Sequence, residues 1–121
     1  TILLVEDEGA VRDAAKRMLA RSGFTVLEAT NGADAVAQWD KSPDAIDLVL
    51  TDVVMPSMGG ADMVKALRER RPGVRVVFMS GYTQGALDAR EMDQEATRFL
   101  PKPFTATQLV NTIKELLQNS T

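Results

Sequence analysis

Five short apolar runs, each about the length of a strand, alternate with stretches in which apolar residues recur at helical spacing. The runs are Ile2 to Glu6, Thr25 to Ala29, Asp47 to Asp52, Val74 to Met79 and Thr97 to Leu100. Between them, Ala10 to Arg21 carries Val11, Ala14, Ala15, Met18 and Leu19 at helical spacing, and Gly32 to Lys41 carries Ala35, Val36 and Trp39. A third helix ends near Arg70 with Met63, Val64 and Leu67 inward, and the last has Leu109, Ile113, Leu116 and Leu117. Tyr82 to Asp93 is polar, holds Gly85 and has weak periodicity, so it is expected to be a mobile or marginal helix.

Local signals mark the joints. Gly23 suits a left-handed helix end, Asn31 an N-cap, and Pro72-Gly73 a stop. Met55 to Gly60 is a loop, and Thr105 with Gln108 forms a capping box. Near-continuous apolar strands joined by helices imply a parallel sheet covered on both faces. Right-handed crossovers with one change of winding direction make it a doubly wound open α/β sheet. The 121 residues fit one domain, 1–121, and an apolar content of 45% suffices for one core.

Two missing residue types narrow the chemistry. Without cysteine there is no disulfide, thiolate nucleophile or cysteine-zinc site. Without histidine there is no Ser-His-Asp or Cys-His catalysis and no histidine metal site. A net charge of −3 argues against direct nucleic-acid binding. No apolar window reaches the ~18 residues of a membrane span. The opening run is expected to be a strand rather than a leader peptide.

In doubly wound sheets the working residues lie at the carboxyl ends of the strands. Here the first run ends in Glu6-Asp7-Glu8, the third in Asp52 and the fourth in Ser80, while Lys102 follows the fifth between Pro101 and Pro103. Gathered carboxylates repel one another, and a cation among them relieves the repulsion. Oxygen-only ligands select Mg²⁺ or Ca²⁺. A lysine adds positive charge for a transferring phosphoryl group, a serine hydroxyl can donate to its oxygens, and a carboxylate can be the nucleophile that accepts it.

Four segments together carry a resemblance. They are Leu3-Leu4-Val5-Glu6-Asp7-Glu8, the run from Asp47 to Pro56 with Gly59-Gly60, Phe78-Met79-Ser80-Gly81-Tyr82, and Phe99-Leu100-Pro101-Lys102-Pro103-Phe104. In that order the chain resembles, over essentially its whole length, the receiver domains of two-component response regulators. The resemblance implies a flavodoxin-like (βα)5 fold with strand order 2-1-3-4-5. Asp52 is then similar to the phosphoacceptor, Asp7 to a direct Mg²⁺ ligand, Glu6 to its water-mediated partner and Val54 to the residue whose backbone carbonyl completes the set. Ser80 matches the switch hydroxyl, Lys102 the phosphate-binding lysine and Phe99 the aromatic that turns inward, and Pro103 would follow a cis peptide.

The implied function is a switch rather than a turnover enzyme. A phosphohistidine donor supplies the phosphoryl group, since this chain has no histidine. The partner-binding surface then changes, with dimerisation on phosphorylation left open. The acidic pair is Glu-Asp and the hydroxyl Ser, where Asp-Asp and Thr are commoner in the family. Val54 and Tyr82 flank the site where some members place polar groups, which implies self-dephosphorylation on the order of minutes or longer. The Phe78 to Thr83 run is similar to receivers of hybrid sensor histidine kinases. A cytoplasmic setting follows from that, with a parent chain that could be membrane-anchored, and no output domain is expected within these residues.

Some of these residues also have plainer roles. Glu8 is best read as a solvated acid at a helix start, Phe99 also suits a plain core position, and Trp39 and the methionines suit packing. The same fold can serve as a docking-only pseudo-receiver, but such modules lose the acidic pair, the acceptor or the lysine, and all are present. An aspartate-nucleophile phosphatase needs a second aspartate where Val54 stands. Flavin binding lacks a phosphate-cradling loop.

Overall fold

A computed structural model describes residues 1–52, 60–80, 97–101 and 104–118. The apolar runs form strands β1 (Ile2–Val5), β2 (Val26–Ala29), β3 (Leu48–Asp52), β4 (Arg75–Ser80) and β5 (Thr97–Pro101). The helices among the described residues are α1 (Gly9–Arg21), α2 (Gly32–Lys41), α3 (Gly60–Arg70) and α4 (Ala106–Gln118). The strands are all parallel, in the order β2-β1-β3-β4-β5. This is the doubly wound, flavodoxin-like arrangement expected. The Tyr82 to Asp93 segment lies outside the described residues.

Strand alternation divides the core in two. Leu3, Val5, Val49, Val76 and Phe78 face a cluster completed by Ala35 and Trp39 of α2 and Met63, Val64 and Leu67 of α3. Ile2, Leu4, Leu48, Leu50, Val77 and Met79 face the other way, toward Ala15 and Leu19 of α1 and Leu109, Ile113 and Leu116 of α4. The sheet is thus apolar on both faces, which is why its strands read as continuous apolar runs. Ala14, one of the apolar residues at helical spacing, is exposed, because α1 seats on its neighbour Ala15 and on Leu19 one turn further along.

The joints follow their signals. Gly23 has φ +89°, and the end of α1 is a complete Schellman motif: the Phe24 N–H donates to the Leu19 carbonyl and the Gly23 N–H to the Ala20 carbonyl, both at 3.1 Å. Asn31 accepts the Asp34 N–H at 2.8 Å, and Asp34 accepts the Thr30 N–H at 3.1 Å. At α4, Gln108 accepts the Thr105 N–H at 2.9 Å while Thr105 Oγ1 accepts the Gln108 N–H at 3.1 Å, a reciprocal capping box. Trp39 is buried, and Arg71 stacks over its ring at 5.0 Å while donating to the Ile46 carbonyl at 3.0 Å and the Pro43 carbonyl at 2.7 Å. No described helix is long and apolar enough to cross a membrane.

Candidate functional site

β1 and β3 are adjacent and parallel, so their carboxyl ends open at the same edge of the sheet. Their last paired residues are Val5 and Thr51, which brings the next two, Glu6 and Asp52, side by side. Both positions continue the Ile2–Leu4 and Leu48–Leu50 alternation, so they stand over the α1 and α4 face. Glu6 is fully buried, Asp52 half-buried and Asp7 exposed, so the acids grade outward to solvent.

One carboxylate oxygen from each of Glu6, Asp7 and Asp52 lies within 4.8 Å of the others. Burying a carboxylate is costly without partners. Glu6 takes the Glu8 N–H on Oε1 at 3.2 Å, while its own N–H donates to the Ala29 carbonyl at 3.1 Å, tying β1 to β2 beyond the formal strand end. Next to Asp52, the fully buried Thr51 satisfies its hydroxyl by donating to the Asp52 carbonyl at 2.9 Å.

The donor set suits a small hard cation. Ligands on opposite sides of Mg²⁺ stand about 4.2 Å apart, and Mg²⁺ retains several waters. Three carboxylate oxygens within 4.8 Å of one another are close enough to share one such ion and its bound waters.

The structure brings Glu6, Asp7 and Asp52 together. Ser80 closes β4 with Pro101 as its register partner, but its side chain lies outside what is described, as do Val54, Lys102 and Pro103. Glu8 is an exposed N-cap without a side-chain cap bond, in keeping with a solvated acid. Phe99 is half-buried, pairs with Phe78 across β4 and β5, and packs on the core shared with α2 and α3, the face opposite the acids. Arg12 of α1 was not singled out by the sequence, yet its Nη1 donates to the Glu6 carbonyl at 2.8 Å. The available signal was a cation in the early turns of a helix, where the dipole disfavours it.

Residues 2–114 match the family model described as the response regulator receiver domain. The chain belongs to that family. This receiver domain is a module of two-component signalling, in which the family works with histidine kinases or phosphotransfer proteins. It is 43% identical to the sensor kinase CckA of Brucella abortus over 98% of its own length and 12% of that protein's. It is 33% identical to the response regulator receiver protein CpdR of Brucella abortus over 96% of its length and 95% of that protein's. The crystal structure of a receiver domain from the hybrid histidine kinase CckA superposes with a TM-score of 0.81 at 38% identity, covering 97% of this chain and 98% of that one. The receiver domain thus spans a small part of the sensor kinase it resembles and nearly all of the CpdR protein.

Proposed function

We propose that residues 1–121 form one receiver module that takes a phosphoryl group on Asp52 from a phosphohistidine donor and changes its partner-binding surface in response. The observation that carries this is the trio of carboxylates, Glu6, Asp7 and Asp52, gathered within 4.8 Å at the carboxyl ends of two adjacent parallel strands. In the transfer, an Asp52 carboxylate oxygen attacks phosphorus as the P–N bond to the donor imidazole breaks; the nitrogen keeps the bonding pair, and the imidazole leaves neutral because its other ring nitrogen already carries a proton. The product is an aspartyl phosphate.

Glu6, Asp7 and Asp52, with the Val54 carbonyl, would hold Mg²⁺, which neutralises charge on the phosphoryl oxygens when bound. Lys102 and Ser80 would contact the phosphoryl oxygens. Ser80 moving toward them and Phe99 turning inward would carry the change to the surface, a shift between two packings. A docking-only module would have no use for a buried glutamate beside two further acids. The 43% identity to a sensor kinase favours a place inside a hybrid histidine kinase, while the near full-length match to CpdR favours a stand-alone regulator.

The test is transfer of labelled phosphate from a phosphohistidine donor to the wild-type chain and to Asp52→Ala, with Mg²⁺ or with EDTA. Label should reach the wild type in Mg²⁺ alone and decay over minutes or longer. An unlabelled wild type beside a competent donor, or a labelled Asp52→Ala, would reject the proposal.

A further inference from the structure

Arg12 occupies a place where the helix dipole disfavours a cation, yet it is tied down on two sides. It is the fourth residue of α1, a helix with no acidic residue in its first turn. Its Nη1 donates to the Glu6 backbone carbonyl at 2.8 Å, and its Nε lies 3.6 Å from Glu28 Oε1 on β2. Lys16, one turn along, holds the other oxygen of Glu28 at 3.1 Å. Arg12, Lys16 and Glu28 thus form a brace from α1 to β2, and the tip of that brace is the peptide joining Glu6 to Asp7.

We propose that Arg12 is a positioning residue of the acidic site, fixing the Glu6–Asp7 peptide so that the exposed Asp7 stays beside Glu6 and Asp52. The inference rests on the Mg²⁺ role proposed above for these acids. Glu6 is held at its N–H by Ala29 and at its carboxylate by the Glu8 N–H; Arg12 supplies the hold on its carbonyl. That carbonyl belongs to the peptide plane from which Asp7 departs. Asp7 is exposed, so its location depends on the backbone before and after it. A guanidinium can bond the carbonyl through one nitrogen while another faces Glu28, whereas the single ammonium of lysine cannot span both in the same geometry. A plain surface ion pair would add little to stability and nothing to metal affinity.

Two measurements test the brace. The first is calorimetric titration with MgCl2 of the wild type, Arg12→Ala, Arg12→Lys and Glu28→Gln. Arg12→Ala should bind Mg²⁺ about tenfold more weakly, as supporting residues around a metal site do when lost. Glu28→Gln should show a smaller loss, and Arg12→Lys should recover only part. The second is hydrogen exchange at the Asp7 and Glu8 amides in EDTA, which should quicken in Arg12→Ala and Glu28→Gln while amides in β3 keep their protection. Unchanged exchange at both amides overturns the inference even if the wild type binds no Mg²⁺, a result that would count separately against the metal role. A folded Arg12→Ala with wild-type Mg²⁺ affinity overturns it too. Should Arg12→Ala not fold, Glu28→Gln carries both measurements.

Discussion

Replacing Asp52 by asparagine should stabilise the metal-free domain, a result opposite to the usual effect of changing a residue in a site. The substitution keeps the shape and removes one negative charge from three. At 4.8 Å, the bound on the spacing of these oxygens, and an effective dielectric constant of ~20, the Glu6–Asp52 repulsion is about 3.5 kcal/mol. The Asp7–Asp52 repulsion, with one exposed partner and a dielectric constant nearer ~80, is about 0.9 kcal/mol. Salt screening and the loss of contacts that Asp52 itself makes remove half or more of the sum. The net gain should be roughly 1–2 kcal/mol, or about 4–8 °C in melting temperature at ~4 °C per kcal/mol.

Thermal unfolding in EDTA and in saturating MgCl2 checks this directly. Wild-type protein should gain about 2.7 kcal/mol at a Mg²⁺ concentration ~100 times its Kd. Asp52→Asn should begin higher in EDTA and respond much less to Mg²⁺, so the two curves approach each other as the metal is added. An Asp52→Asn protein that melts below wild type in EDTA would show that these acids do not strain the fold, and one that gains as much from Mg²⁺ would show that Asp52 shares no cation with them.

Three further outcomes concern the frame around the site. Gly23→Ala should destabilise by about 1–2 kcal/mol, since φ +89° disfavours a Cβ even though nothing lies within 4 Å to clash with it; the urea midpoint followed by Trp39 fluorescence measures it. Thr105→Ala should cost about 1 kcal/mol through the broken capping box, and Thr105→Ser should restore most of it in the same assay. Leu50→Ala, a cavity beneath the acids, should cost about 2–5 kcal/mol in equilibrium unfolding.

The sheet was legible because its strands are buried on both faces, which leaves an unbroken apolar signature in the sequence. Helix ends were equally legible where a side chain or a glycine does the capping, as at Gly23, Asn31 and Thr105. Strand starts slipped by a residue. Asp47 reads as part of the third run, but the strand begins at Leu48, and the Asp47 N–H donates to the Thr1 carbonyl at 2.9 Å. Ala14 misled because alanine is at home on either side of a helix. At the site, the acids could be placed at strand ends from their order alone, but the parity that sets Glu6 beside Asp52 depends on register, which only the paired strands reveal. Arg12 escaped notice because its contacts are to a backbone carbonyl and to a residue on another strand, and neither leaves a spacing pattern.

The division of the interior into an α2–α3 compartment and an α1–α4 compartment has an evolutionary consequence. Side chains in one are screened from the other by a layer of backbone, so substitutions placed in separate compartments should combine additively. A lineage could remodel the layer around Trp39 and Leu67 to suit a new partner while the floor beneath Glu6 and Asp52 stayed as it was.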